Sequence, residues 1–160
     1  FHTASPHKIM PKATRKTARR DKIEIYLHLI WTTWDREPWL EKQWHEELFA
    51  VIHGATETEK CVLVAIGGVE DHIHALVAIR STTRVCDLVK ALKGSSALFL
   101  RRKFEPFKWR PTYAAFSVSR WDVKALKNYI RNQEEHHAQG TTKDALESAD
   151  EIYEFDDEAV

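Results

Sequence analysis

From Ile23 onward apolar and polar side chains alternate: Ile23, Ile25, Leu27 and Leu29 fall between Glu24, Tyr26 and His28. This is the two-residue period of a half-buried strand running to about Thr33. Pro38 then opens a stretch in which Leu40, Trp44, Leu48 and Val51/Ile52 recur at helical spacing, ending near Gly54. Cys61 to Ile66 reads as a second strand, Gly67-Gly68 to Asp71 as a turn, and His72 to Ile79 as a third strand, so the two strands form a hairpin. Thr82 or Thr83 is placed to cap a helix carrying Val85, Leu88, Leu92, Leu98 and Phe99. Gly94 inside that helix costs about 1 kcal/mol relative to Ala, so a bend or a close approach is expected there. Tyr113 to Val118 is a fourth strand. Ser119 and Asp122 make an S-x-x-D capping box before a last core helix with Val123, Leu126 and Ile130 inward.

The order β-α-β-β-α-β-α predicts an α+β fold, a ferredoxin-like split β-α-β arrangement. It calls for an antiparallel sheet of four to five strands, covered on one side, with an appended helix. The chain of 160 residues, 43% apolar, is enough for one core and too little for two. A single domain is therefore expected over residues 23–140. Residues 1–22 lack any apolar period and read as a flexible basic arm. Residues 141–160 read as an acidic tail in which Leu146, Ala149, Ile152 and Tyr153 have loosely helical spacing.

The apolar run Val62–Val69 contains a glycine pair and is far too short for a bilayer, so no membrane partner is expected. Cys61 and Cys86 make neither a disulfide framework nor a clustered zinc site, which fits a reducing cytoplasm. The formal net charge is zero, but the charges are segregated. Lys8 to Lys22 holds seven Lys/Arg against one acid, and Asp144 to Glu158 holds eight acids and no Lys or Arg. Residues 90–131 carry eleven Lys/Arg against Glu105 and Asp122, a local footprint for a polyanion. A solvated helix surface is the competing reading of that stretch.

Side chains two apart on a strand share a face, so His72 and His74 emerge side by side with Ile73 pointing the other way. Two neutral imidazoles so placed are a platform for a divalent metal. A structural or surface pair would have the same spacing. Tyr129 and Gln133, four apart, share a helix face and can address one site. A phenol of pKa about 10 is a poor nucleophile at neutral pH unless a cation polarises its target. The competing reading packs Tyr129 in the core and turns Gln133 to water.

Four segments carry a resemblance: His28-Leu-Ile-Trp-Thr-Thr, Gly67-Gly-Val-Glu-Asp-His-Ile-His74, Leu92-Lys-Gly-Ser-Ser96 and Tyr129-Ile-Arg-Asn-Gln133. Their order resembles that of the single-tyrosine HUH transposases, the small TnpA-type insertion-sequence enzymes and the REP-associated tyrosine transposases. The resemblance spans roughly residues 24 to 137. It implies that His72, His74 and Gln133 bind Mg²⁺ or Mn²⁺ and that Tyr129 is the nucleophile. It further implies attack on single-stranded DNA with hairpin ends, leaving a 5′-phosphotyrosine and a free 3′-OH that a later 3′-OH reverses. No small-molecule cofactor is implied. The expected setting is a bacterial or archaeal cytoplasm, associated with the nucleoid, and the expected state a homodimer.

Lys93, Ser95 and Arg110 are the candidate DNA contacts, with Trp109 and Trp121 as stacking faces or, alternatively, core residues. The chain departs from the family in having Ala75 after the second histidine, and in its basic arm and acidic tail. The opposed charges suggest that the tail folds over the basic surface and competes with non-specific DNA binding. Histidine-triad nucleotide hydrolases need a third histidine where Leu76 stands, and two-histidine phosphoesterases need H-x-S/T twice, which no histidine here supplies. A DNA-hairpin-binding protein that no longer cuts is the alternative from another class.

Overall fold

The computed structural model describes residues 21–147, so the arm through residue 20 and the expected helical spacing at Ala149, Ile152 and Tyr153 lie outside the described residues. The chain runs β1 (Ile25–Thr32), α1 (His45–Thr58), β2 (Val62–Gly68), β3 (His72–Ile79), α2 (Val85–Lys103), β4 (Ala114–Val118), α3 (Val123–Arg131), α4 (Gln133–Gln139) and α5 (Asp144–Glu147). The four strands form one sheet in the order β2-β3-β1-β4, with every pairing antiparallel. This is the expected split arrangement: β2 and β3 are a hairpin, and two helical crossovers place β1 and β4 beside them.

Register decides which side chains share a face. Ile30 pairs with His74, Thr32 with His72 and His28 with Leu76. The odd-numbered residues of β1 and β3, among them Leu29, Trp31, Ile73, Ala75 and Val77, therefore enter one core with Leu48 and Ile52 of α1 and Leu88, Leu92 and Leu100 of α2. Each fully buried aliphatic side chain contributes about 1.5–3 kcal/mol, so this face carries most of the stability. The even-numbered residues face a second, smaller cluster of Ala65, Leu76, Leu126, Tyr129 and Ile130. The sheet is thus covered on both sides. The appended helix α3 has its own apolar stripe, and the face left open by α1 and α2 buries it.

Gly67 makes that packing close: a Cβ there would lie 2.0 Å from the Ile130 carbonyl oxygen. Backbone of β2 and α3 touch directly, which fixes α3, and Tyr129 with it, over the strand hairpin.

Several helix ends differ from those the sequence pattern predicts. The helix expected from Pro38 begins at His45 after a 3-10 turn at Lys42–Trp44 and runs through Gly54 to Thr58. Neither Thr82 nor Thr83 caps α2, whose first residue is Val85; the Thr83 hydroxyl accepts from the Arg80 N–H at 3.0 Å and closes the preceding turn. Ser119 lies too far ahead of α3 to cap it and accepts instead from the Trp121 N–H at 3.3 Å. α2 is continuous through Gly94, and nothing among the described residues lies within 4 Å of where its Cβ would be. Among the described residues no helix is long and apolar enough to cross a membrane.

Candidate active site

The β3 pleat brings His72 and His74 out on the second face, both buried, with ring centroids 5.0 Å apart. α3 ends at Arg131, Asn132 breaks the helix, and Gln133 begins α4. The four-residue relation between Tyr129 and Gln133 survives that break, and both side chains are buried against the same centre.

The centre is marked by a residue that pattern reading missed. Glu147, on the short α5, places Oε2 at 3.2 Å from His72 Nε2 and 3.1 Å from His74 Nε2. Its Oε1 accepts from the Tyr129 hydroxyl at 2.5 Å and from Gln133 Nε2 at 3.2 Å. His137, one turn beyond Gln133, comes within 3.4 Å of the same carboxylate. One carboxylate therefore draws His72, His74, Tyr129 and Gln133 together. The only sequence signal for it was Leu146 in the tail's loose helical spacing; this side chain packs against the cluster around Leu126 and Tyr129.

Behind the histidines stand two further groups. His72 Nδ1 faces Asp71 Oδ1 at 2.5 Å, and Arg36 lies 3.6 Å from the other Asp71 oxygen. His74 Nδ1 faces His28 Nε2 at 2.8 Å, with the two rings stacked. His28 opens the first of the resembling segments and Asp71 lies within the second, but the pattern gives neither a site role: it makes His28 a polar member of the β1 alternation and Asp71 the end of a turn.

Charge follows this geometry. Burial disfavours charge on His72, but its bonds to Asp71 and Glu147 outweigh this and raise its pKa. Burial lowers the pKa of His74 despite Glu147. His28, desolvated and beside His74, is pushed down to about 3 and is neutral. Burial would raise Glu147, yet hydrogen bonds from His72 and His74 hold it far below the usual carboxylate range. Burial, and then the bond to Glu147, push the Tyr129 phenol up to about 12.

The residues fit a divalent cation. Two imidazole Nε2 atoms and a carboxylate oxygen converge on one point, and the three groups have the spacing of a metal cluster. Gln133 Oε1 is buried with no hydrogen-bond partner among the described residues. An unpaired buried amide oxygen costs about 1–3 kcal/mol, a deficit that a cation would remove. A half-turn of the amide exchanges its oxygen and nitrogen, so the group facing the centre can present either atom.

The candidate DNA contacts lie elsewhere. Lys93, Gly94, Lys108 and Arg110 line an open groove between α2 and the loop before β4. Lys93 Nζ donates to the carbonyls of Arg110 and Thr112 at 2.6 and 3.1 Å, and its burial lowers its pKa. Ser95, one residue from Gly94, is not among the groove-lining residues. Its neighbour Ser96 is buried and accepts from Trp109 Nε1 at 3.0 Å. Trp109 is a core residue, edge-on to Trp31 and Phe107. Trp121 is 79% exposed with the Arg120 guanidinium 4.2 Å above its ring. The described part of the acidic tail docks at the histidines and not over this groove.

The fold and site together define an α+β protein whose split antiparallel sheet offers a histidine pair to a tyrosine-bearing helix. The family described as "Transposase IS200 like" matches residues 21–133, and the chain belongs to that family. It is 26% identical over 136 residues to the ISDra2 transposase TnpA of Deinococcus radiodurans, covering 78% of this chain and 94% of that protein. A crystal structure from Deinococcus radiodurans R1, of a protein described as a transposase, superposes with a TM-score of 0.59 at 28% identity. It covers 74% of this chain and 97% of its own. The structure of a REP-associated tyrosine transposase bound to a REP hairpin has the same fold, with a TM-score of 0.56 at 14% identity over 86% of this chain and 93% of its own.

Proposed function

We propose that this chain cleaves and rejoins single-stranded DNA through a covalent tyrosyl intermediate. Tyr129 Oη attacks the phosphorus of a phosphodiester; the Oη–P bond forms, the P–O3′ bond breaks, and the 3′ oxygen leaves as a hydroxyl after gaining a proton. The 5′ end remains on Tyr129, and a later 3′-OH reverses the exchange without an external energy source. The observation that carries this reading is the convergence of the Tyr129 hydroxyl, Gln133, His72 and His74 on a single anionic group, the Glu147 carboxylate.

His72, His74 and Gln133 would hold Mg²⁺ or Mn²⁺. When bound, the ion supplies Lewis-acid withdrawal of charge from the phosphate, which lets a phenol act as nucleophile. The chain's own residues do the rest. Asp71 and His28 orient the imidazoles, the close Gly67 contact seats Tyr129, and the groove at Lys93 and Arg110 takes the phosphate backbone. Hairpin-ended DNA is the proposed substrate, supported by the hairpin held in the structurally similar REP-associated protein. A homodimer is the proposed assembly.

A second reading is favoured by Glu147 itself: with its carboxylate among the ligands and the phenol protonated, the protein as folded binds hairpins without cutting them. Incubation with end-labelled single-stranded hairpin DNA and Mn²⁺, followed by denaturing electrophoresis, decides between the two. A protein–DNA adduct lost in Tyr129→Phe supports cleavage. An adduct that persists in that variant reassigns the nucleophile to another tyrosine, and no adduct under any divalent ion leaves the binding reading.

A further inference from the structure

We propose that His28 is a positioning residue for the metal site: a neutral imidazole that takes up the Nδ1 proton of His74 as a hydrogen bond and so presents His74 Nε2, unprotonated, to the cation. This inference rests on the proposed metal-binding role of His72 and His74.

The two candidate ligands are backed by unlike partners. His72 Nδ1 meets a carboxylate, Asp71, at 2.5 Å. A carboxylate can only accept, and at 2.5 Å it lies far closer to His72 Nδ1 than the Arg36 guanidinium at 3.5 Å, so the proton sits on His72 Nδ1 and Nε2 is left for a ligand. His74 Nδ1 meets another imidazole, His28 Nε2, at 2.8 Å. An imidazole pair has two solutions: either nitrogen can hold the proton between them, provided the other has its lone pair there. A metal on His74 Nε2 requires the solution in which His74 donates and His28 accepts. With Glu147 in place, His74 Nε2 faces a carboxylate at 3.1 Å, which requires a proton on Nε2 and hence the opposite solution, with His28 donating.

A residue serving both states must be able to donate in one and accept in the other while remaining uncharged. Histidine does this by changing tautomer, whereas Lys can only donate and Asp can only accept. The strand register fixes the pair: His28 lies diagonally across from His74, because Ile30 is the direct partner of His74 and His28 that of Leu76. The His28 ring is almost wholly enclosed, 1% exposed and packed near Phe116, so water does not readily replace it as the partner. His28 shares the lining of one cavity with Tyr129, but its ring hydrogen-bonds to His74 Nδ1 at 2.8 Å, so it acts through His74.

Three full-length proteins, wild type, His28→Gln and His28→Leu, test this, with His72→Ala as a reference. Mn²⁺ binding without DNA is measured by electron paramagnetic resonance of the free ion. Loss of an outer partner to a metal-bound histidine costs about 10- to 100-fold in affinity, and His28→Leu should show a loss of that size. Gln, which can also donate or accept, should hold affinity within a few-fold of wild type. Nitrogen-detected imidazole NMR, with Mg²⁺ as the diamagnetic probe, should find His74 protonated at Nδ1 and His28 unprotonated at Nε2 when the ion is bound. Without Mg²⁺ the assignment should reverse.

Unchanged Mn²⁺ affinity in a folded His28→Leu overturns the proposal. So does an equal loss in both His28 variants, the mark of a packing role, or a His28 Nε2 that stays protonated with Mg²⁺ bound. If His72→Ala leaves Mn²⁺ binding intact, the metal reading itself fails, and the metal-free NMR spectrum still decides which nitrogen of the pair holds the proton.

Discussion

The Tyr129 hydroxyl donates to Glu147 Oε1 at 2.5 Å while accepting from the Lys143 backbone N–H at 2.9 Å, so the candidate nucleophile is held by the segment that follows its own helix. Burial disfavours ionisation of the phenol most, and the ionised carboxylate beside it adds to this. In Glu147→Ala the phenol pKa should fall from about 12 part of the way towards its ordinary value near 10, burial keeping the remainder of the shift. Ultraviolet titration of the phenolate, with Tyr129→Phe subtracted to isolate one tyrosine, would show it. The same variant should form the DNA adduct faster, since the occupant of the centre is gone. A titration curve identical to wild type would mean that the contact does not govern the phenol.

Acid should destabilise the metal-free protein through His28 and His74. Both have folded pKa values below the ordinary 6.5, so their contribution is complete above pH 6.5 and is lost as pH falls toward the folded values. For His28 that window runs from about 6.5 down to about 3. Each such group contributes at most about 1.4 kcal/mol per pH unit. His72 has the opposite sign: its pKa is raised, so its contribution is present below 6.5 and is lost as pH rises through the folded value. Urea unfolding at pH 7.5 and 5.0 should show a smaller acid loss for His28→Gln than for wild type, and an equal loss would exclude His28 as a source.

Two glycines should answer in opposite ways. Gly67→Ala drives a methyl against the Ile130 carbonyl, a backbone group that cannot step aside, and overpacking of this kind costs about 1–3 kcal/mol. The melting temperature should fall, and because α3 shifts, the adduct should be lost disproportionately. Gly94→Ala meets nothing within 4 Å among the described residues and should gain up to about 1 kcal/mol in helix propensity. If Gly94→Ala also weakens DNA binding, a strand passes over α2 at that point; unchanged affinity places the strand elsewhere.

Within the groove, Arg110→Ala should lower the slope of log affinity against log salt by about one if that guanidinium meets a phosphate. Lys93→Ala should do more, because Lys93 also ties down the carbonyls of Arg110 and Thr112. Trp121→Ala should cost about 1–3 kcal/mol of single-strand affinity if its exposed face stacks a base, with the melting temperature unchanged. Salt slopes that match wild type in both charge variants would move the DNA path away from this groove.

Periodicity determined a good deal by itself. The alternation through Ile25, Leu27 and Leu29, the His72-x-His74 pair and the stripe of Val123, Leu126 and Ile130 are local patterns, and the strands and the last core helix appear where those patterns stand. The common face of His72 and His74 follows from the pleat alone. Helix ends were less legible, because a Thr or Ser that could cap a helix can equally close the turn before it, as Thr83 does. What only the tertiary structure decided are meetings between elements remote in sequence. These include the second covered face of the sheet, the approach of Gly67 to Ile130, the backing of His74 by His28 across two strands, and the reach of Glu147 into the centre. None of these has a period, since each depends on strand order and on which face is left open once α1 and α2 have taken the other. A sequence lists the groups able to meet, and only the register and packing of the sheet select the pairs.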